Sequence, residues 1–162
     1  MAVFADTDEL IQYARTFLRD RTDSLQHDVL VCTHGAAAAF PAILYCFSTI
    51  DLLGALLGGD AKSSSGMSER AKAYARRFMH YSEDQCALLW GVFRHKIVHL
   101  ALPNPVMEFK KRKTTWGYWH DDGAHHLKLV PLVPQLSETV TTGLSFEAEQ
   151  RFEISIRHLV TD

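Results

Sequence analysis

The stretch that decides the fold is Cys86–Pro103, CALLWGVFRHKIVHLALP. Its apolar residues recur every three or four positions and widen into a stripe that leaves little polar surface: Leu89, Trp90, Val92, Phe93, Ile97, Val98 and Leu100. Ser82 and Gln85 form a capping-box pattern just before it, and Pro103 predicts an end near Leu100. The pattern therefore predicts a helix that is buried in the core.

Two side chains in this stretch are costly to bury. Arg94 carries a long cation and His99 an imidazole, and both lose hydration unless each finds a partner. The best counter-ion by type is Asp51, the only formally charged residue between Asp28 and Asp60. We therefore predict that Asp51, Arg94 and His99 form a cluster across two packed helices.

Asp51 lies inside a second apolar run, Phe40–Leu57. Pro41 is tolerable there only because it falls in the first turn. The run resembles a membrane span in composition, but Asp51 interrupts it and the uninterrupted part is shorter than the roughly 20 residues that a bilayer requires. We expect a core helix and no membrane partner.

The residues Arg94-His95-Lys96-Ile97-Val98-His99 resemble the R-x-x-x-x-H motif of HEPN domains, small four-helix bundles found in many prokaryotic toxin and defence systems. The resemblance covers roughly Phe40 to Pro103. It implies metal-independent cleavage of RNA, with His99 as acid or base, Arg94 on the phosphate, Asp51 orienting the pair and His95 as a secondary contact. It also implies a homodimer, because the active groove of such nucleases lies where two bundles meet.

Two further helices complete the expected architecture. An amphipathic pattern predicts a first helix over Thr7–Asp20, with a continuation to Gly35 left open. The loop Gly58–Gly66 precedes a third helix from about Ser68 to His80. We predict a single, mainly α-helical domain, with a HEPN-like antiparallel four-helix bundle over residues 6–102 and a β-rich appendage over about 110–156.

The appendage begins with FKKRKTTWGYWH, residues 109–120, in which four consecutive basic residues stand close to Trp116, Tyr118 and Trp119. Asp122-Gly123 is a tight-turn signal and predicts a β-hairpin between this stretch and His125–Leu132. Alternation farther on predicts a strand over Arg151–Ile156 and a helix from near His158. The candidate nucleic-acid-binding residues are Lys110, Lys111, Arg112 and Lys113, although a solvated turn is the favoured interpretation.

Other interpretations of the site remain open. In one of them the cluster of Asp51, Arg94 and His99 only fixes the packing of the helices, and the protein is a non-enzymatic interaction module with an antitoxin-type partner. In another, His95 and His99 bind a metal with further ligands from His120, His125 and His126, but the helix lacks the glutamate of an H-E-x-x-H motif and we predict no metal or other cofactor.

Composition limits these interpretations. The chain has 162 residues and a formal net charge of -2, so any contact with RNA must use a local basic patch. Three cysteines stand in apolar segments without C-x-x-C spacing, and the first ten residues show no signal peptide pattern. Both features favour the cytoplasm.

Overall fold

A computed structural model of the chain describes residues 4–34, 38–60, 63, 65–94, 106–119, 126–131 and 148–162. The helices are α1 (Thr7–His34), α2 (Ala39–Leu57), α3 (Met67–Phe78), α4 (Glu83–Leu88) and α5 (Ile156–Thr161), and a π-helical segment, Leu89–Arg94, continues α4. The strands are β1 (Met107–Phe109), β2 (Arg112–Trp119), β3 (Lys128–Pro131) and β4 (Gln150–Ser155).

Local capping explains where α4 begins. The Ser82 hydroxyl accepts a hydrogen bond from the Gln85 backbone N–H at 3.1 Å, and the Gln85 side chain accepts one from the Ser82 N–H at 2.8 Å. This reciprocal arrangement satisfies two backbone donors that the first turn of a helix otherwise leaves free. The predicted capping box is therefore confirmed. The predicted continuation of this helix to Leu100 lies outside the described residues beyond Arg94.

The first helix takes the longer of the two predicted forms and runs to His34. Its buried residues are Leu25 and Val29, both in its second half, so tertiary packing stabilises that half. The apolar side chains of its first half are exposed: Leu10, Ile11, Tyr13 and Phe17.

The second helix supplies much of the core. Nine of its nineteen residues are buried, including Ile43, Cys46, Phe47 and Ile50. Among the described residues it is also the one helix long and apolar enough to cross a bilayer, and 44% of its apolar window is buried inside the protein. Core helices of globular proteins meet the same length and composition criteria.

The four strands form one mixed sheet in the order β1-β2-β4-β3. The β1 and β2 strands are antiparallel neighbours, and β2 and β4 run parallel with Trp116 opposite Phe152. The β3 strand completes the sheet and is antiparallel to β4, with Leu129 opposite Phe152. The β4 strand thus lies between β2 and β3.

Two predictions about the C-terminal third are wrong. The molecule is not a four-helix bundle with a hairpin appendage, because Phe152 and Ile154 of the four-stranded sheet are fully buried in the same apolar cluster as the helices. The predicted hairpin between β2 and β3 is absent as well, since β4 separates them. Alternation shows which residues face inward but carries no information about strand partners, which are set by long-range pairing.

Other predictions for this region are correct. A strand was expected over Arg151–Ile156 and a helix from near His158, and β4 and α5 lie within two residues of those positions. The Ser155 hydroxyl accepts a hydrogen bond from the His158 N–H at 3.3 Å and so caps the helix where the strand ends.

Candidate functional site

The candidate site is built around an ion pair between two helical segments. Arg94, the last residue of the π-helical segment, donates from Nη2 to Asp51 Oδ2 at 3.0 Å and from Nε to the same oxygen at 3.3 Å. The side chains are 16% and 15% exposed. The structure thus brings together two of the three residues that the sequence places in the cluster, and the pair is mostly removed from water.

A third residue, Met67, completes the described surroundings of Arg94. It begins α3, and its sulfur lies 3.7 Å from Arg94 Nη2. A thioether is a weak acceptor, so this contact restrains the guanidinium without neutralising it. Sequence reasoning missed Met67, because a methionine in the first turn of a helix carries no signal that distinguishes it from a core residue.

The geometry leaves specific atoms of the pair unsatisfied. Both hydrogen bonds from Arg94 to Asp51 end on Oδ2, while Oδ1 is buried and has no hydrogen-bond partner among the described residues. A buried carboxylate oxygen ordinarily accepts at least one hydrogen bond. Arg94 Nη1 likewise has no hydrogen-bond partner within the described ranges. Oδ1 can accept a donor inside the protein, and Nη1 can donate to a ligand.

The remaining predicted catalytic residues are not described. His99 and His95 both belong to the stretch 95–105, which lies outside the described residues. Their roles as acid or base and as secondary contact stay predictions. The predicted proximity of His99 to Asp51 and Arg94 also stays a prediction.

The backbone that carries Arg94 is itself unusual. Leu89–Arg94 is π-helical, a wider helix that is rare in proteins and occurs often beside functional sites. Four residues of the segment are buried: Leu89, Trp90, Val92 and Phe93. Arg94 is therefore held at the end of a well-packed segment, which fixes its Cα relative to Asp51.

The four predicted nucleic-acid-binding residues lie at a tight turn and at the start of the strand that follows it, with Arg112 and Lys113 as the first two residues of β2. Lys110 and Lys111 form the two-residue turn between β1 and β2 with φ of 50° and 62°. Lys110 is ion-paired with Asp84, and Arg112 lies 3.5 Å from Glu149. Acidic neighbours thus offset part of the positive charge that a nucleic-acid patch would use.

Two of the three aromatic residues that follow them, Trp116 and Tyr118, pack against the core. Trp116 makes an edge-to-face contact with Phe93 at 5.2 Å between ring centroids and a second one with Phe40 at 6.1 Å. Tyr118 contacts Phe40 in the same way at 6.0 Å. Rings packed in this manner contribute to the core.

The predicted metal interpretation gains no support from the described residues. No group of three histidine, cysteine, aspartate or glutamate side chains among them could hold a metal ion. His126, the one member of the predicted set that is described, stacks on His158 at 4.0 Å between ring centroids and lies 3.4 Å from Asp162. His95, His99, His120 and His125 lie outside the described residues.

Two buried cysteines belong to helices near the candidate site, Cys46 to α2 and Cys86 to α4. Burial raises the pKa of the Cys46 thiol to about 12, and burial likewise raises the pKa of Cys86. A thiol acts as a nucleophile only as its thiolate. Both thiols are therefore protonated at neutral pH. Both cysteines are core residues, in agreement with their apolar sequence surroundings.

Comparisons with known proteins do not assign the site to a family. No protein-family model, no curated protein and no solved structure matches the chain.

Proposed function

We propose that the protein is a HEPN-like, metal-independent endoribonuclease in which Arg94 and His99 act on the scissile phosphate. The observation that supports the proposal is the partly buried pair of Arg94 and Asp51 on separate helical segments. A carboxylate that holds Nε and Nη2 orients the guanidinium, while Nη1 remains for a phosphate oxygen.

The chemistry requires few groups. The ribose 2′-oxygen attacks its own 3′-phosphorus, a new P–O2′ bond forms and the P–O5′ bond breaks. A base removes the proton of the 2′-hydroxyl, an acid donates a proton to the departing 5′-oxygen, and a cation stabilises the charge on the phosphorane. In the proposal His99 is the acid or base, Arg94 is the cation, Asp51 orients Arg94, and His95 is a secondary contact.

The proposed enzyme is a homodimer, because the resemblance to HEPN nucleases implies a groove between two copies of the chain. Its proposed location is the cytoplasm, which the cysteine spacing favours. The same groove would suit a relative that binds RNA or nucleotides without cleaving them. That relative would retain the contact of Arg94 with phosphate and would lack turnover.

A second candidate function follows from a different aspect of the same geometry. Arg94 and Asp51 are each about 85% buried, and two donors of Arg94 are already engaged with Asp51. A pair of this kind can serve only to specify how two helices pack. The protein would then be an interaction module with an antitoxin-type partner, and removal of Arg94 would change stability without changing any activity on RNA.

Cleavage of a structured RNA by the purified chain tests the proposal. We expect activity in the presence of EDTA, fragments that end in a 2′,3′-cyclic phosphate, and no cleavage of the DNA of the same sequence. Arg94→Ala and His99→Ala should each abolish cleavage. Glu69→Ala on the exposed surface of α3 serves as the control and should leave it intact.

The readout must separate catalysis from folding. Circular dichroism and the melting temperature of each variant report whether the helices remain formed. Activity in the unmodified chain that survives both Arg94→Ala and His99→Ala would refute the catalytic assignment. A folded wild-type chain without activity on RNA, together with a growth defect on overexpression that both variants retain, favours the interaction module.

A further inference from the structure

The first half of α1 is almost free of contact with the rest of the described protein. Every residue of Thr7–Ser24 is exposed except Leu18, which is half-buried, whereas Leu25 and Val29 of the same helix belong to the core. At 1.5 Å per residue this half is about 27 Å long. A helix of this length that buries no side chain is marginally stable in water, so a partner that covers its apolar side would stabilise it.

Five residues of this half form an apolar stripe that is symmetric in the sequence. Its centre is Ala14, and larger apolar residues stand three and four positions away on both sides: Leu10, Ile11, Phe17 and Leu18. Residues three and four positions apart lie on one face of a helix. Leu10, Ile11 and Phe17 are 46%, 42% and 41% exposed, so the apolar stripe is open to a partner.

The symmetry of the apolar stripe indicates a second copy of the chain as its partner. An interface with a two-fold axis must be complementary to itself, because residue i of one copy contacts residue j of the other and j contacts i. Two antiparallel α1 helices that meet at Ala14 place Leu10 against Leu18 of the second copy. They also place Ile11 against Phe17 of the second copy, and the small side chain of Ala14 lets the helices approach closely at the centre.

The order of charges along α1 favours the antiparallel direction. Residues 6–12 carry three acids and no lysine or arginine: Asp6, Asp8 and Glu9. Residues 15–21 carry three cations and one acid: Arg15, Arg19, Arg21 and Asp20. An antiparallel pair brings the acidic end of each helix beside the basic part of the other, whereas a parallel pair brings the acids of both copies together. The opposed helix dipoles favour the same direction.

We infer that a second copy of the chain covers the apolar stripe, and that the two α1 helices pack antiparallel about a two-fold axis at Ala14. A lipid surface suits this helix less well, because anionic headgroups would repel the acids at its start. The inference rests on α1 alone and does not depend on RNA cleavage. Its failure would leave the roles proposed for Arg94 and His99 untouched.

Sedimentation equilibrium of the full chain at about 1 to 100 µM tests the inference. We expect an equilibrium between monomer and dimer. Phe17→Gln should raise the dissociation constant of the dimer at least about tenfold, because the change removes one buried ring from each copy, and Leu10→Gln should act in the same direction. Circular dichroism checks that both variants stay helical. A monomer throughout this range, or a dimer that neither variant weakens, would overturn the inference.

A matched control lies on the same helix. Leu30 is 53% exposed and stands in the second half of α1, outside the apolar stripe. Leu30→Gln removes as much apolar side chain as Leu10→Gln and should leave the dissociation constant of the dimer unchanged. An equal weakening of the dimer by Leu30→Gln and Leu10→Gln would show a general effect of lost apolar surface and would contradict the assignment.

Single cysteines test the direction of the two helices. Ala14→Cys lies at the proposed two-fold axis, so its thiols should form a disulfide between the two copies on oxidation. Leu10→Cys should not, because its two copies lie about 12 Å apart along an antiparallel pair and a disulfide needs Cα atoms roughly 4.4–6.8 Å apart. The unmodified chain, in which Cys32 is half-buried, measures the background.

Two results would refute this arrangement. A disulfide in Leu10→Cys at least as abundant as in Ala14→Cys would show a parallel pair or a different interface. A chain that stays monomeric and binds vesicles of anionic lipid, with binding lost in Phe17→Gln, would assign the apolar stripe to a membrane surface.

Discussion

Gly54 of α2 and Ala71 of α3 are in direct backbone contact, because a β-carbon added at Gly54 would lie only 2.6 Å from the Cα and N atoms of Ala71. Gly54 follows Asp51 by one helical turn, and Ala71 follows Met67 by one turn. The close approach of the two helices therefore sets the distance at which Asp51 and Met67 both reach Arg94. The geometry of the candidate site depends on the absence of a side chain at Gly54.

The contact between Gly54 and Ala71 predicts that alanine at position 54 lowers the stability of the protein, although alanine favours helices more than glycine does. Gly54→Ala should destabilise the fold by about 1–3 kcal/mol, because overpacking a helix contact outweighs the gain in helix propensity of roughly 1 kcal/mol. Urea unfolding followed by circular dichroism measures the change. Gly91→Ala is the control, since its added carbon meets only the flexible end of Met107 at 3.3 Å. Equal effects of the two changes would disprove the tight-contact explanation.

The pair of Asp51 and Arg94 should show strong energetic coupling. Asp51→Asn or Arg94→Met alone should cost about 1–3 kcal/mol, since each leaves a mostly buried charge without its partner, and the two changes together should cost much less than their sum. A double-mutant cycle in urea measures the coupling. The exposed pair of Glu69 and Lys72 provides the comparison, at about 0.3–0.5 kcal/mol. A coupling no larger than that would argue against a structural role.

The turn between β1 and β2 should accept a sequence change that increases stability. Both turn residues, Lys110 and Lys111, have positive φ, which is unfavourable for lysine and favourable for asparagine and glycine. The double change Lys110→Asn and Lys111→Gly should raise the free energy of unfolding by about 0.5–1 kcal/mol.

Loss of the exposed ion pair between Lys110 and Asp84 would reduce this gain only slightly, since such pairs contribute little. Asp84→Asn alone measures that contribution. A net loss of stability in the double variant, after this correction, would be inconsistent with a turn of this type.

Alkaline pH should destabilise the protein through Cys46 and Tyr81. Burial raises the pKa of Cys46 from 9.0 to about 12, and burial together with the hydrogen bond to Asp162 raises the pKa of Tyr81 above 10.0. When the pKa of a group is higher in the folded state than in the unfolded chain, its full contribution to stability is present below the unfolded pKa. That contribution is lost as the pH rises from the unfolded pKa toward the folded pKa. For Cys46 the loss falls between pH 9 and 12, at about 1.4 kcal/mol per pH unit.

Urea unfolding between pH 8 and pH 11 measures this dependence. Cys46→Ala should flatten the decline above pH 9, because the variant has no thiol to ionise at that position. Ile50→Val, a change in the same buried helix without a titratable group, should lower stability and keep the original slope. Parallel curves for Cys46→Ala and the unmodified chain would refute the prediction.

The basic turn should contribute little to RNA affinity. Replacing residues Lys110, Lys111, Arg112 and Lys113 with serine should leave binding at low salt nearly unchanged, since Lys110 and Arg112 already have acidic partners and Trp116 packs against Phe93. Fluorescence anisotropy at two salt concentrations provides the measurement. Serine at four other exposed arginines controls for net charge: Arg15, Arg19, Arg76 and Arg77. A loss of RNA affinity in the turn variant alone, together with a shallower dependence on salt, would instead support a nucleic-acid contact at these four residues.

How well a feature of this chain could be predicted depends on whether the residues that form it are close together in the sequence. The helix starts were predictable because caps and the first turns are local, as the capping box at Ser82 shows. The contact between Asp51 and Arg94 was predictable for a different reason, since Asp51 was the one carboxylate in its apolar helix and Arg94 was a cation in the other strongly apolar helix. A solvated turn was the favoured interpretation of Lys110–Lys113, but the positive φ of Lys110 and Lys111 was not predictable, because lysines are not the residues that such two-residue turns prefer.

By itself the sequence indicated which segments are helical, which residues of β4 face inward and that Asp51 and Arg94 belong to one predicted cluster with His99, because periodicity and the cost of burying a charge are properties of local composition. Only the tertiary structure decided that β4 lies between β2 and β3 and that Met67 contacts Arg94. These features depend on contacts between residues far apart in the chain, such as Gln150 with Thr114. Such contacts form only when distant segments pack together, and no local pattern encodes them.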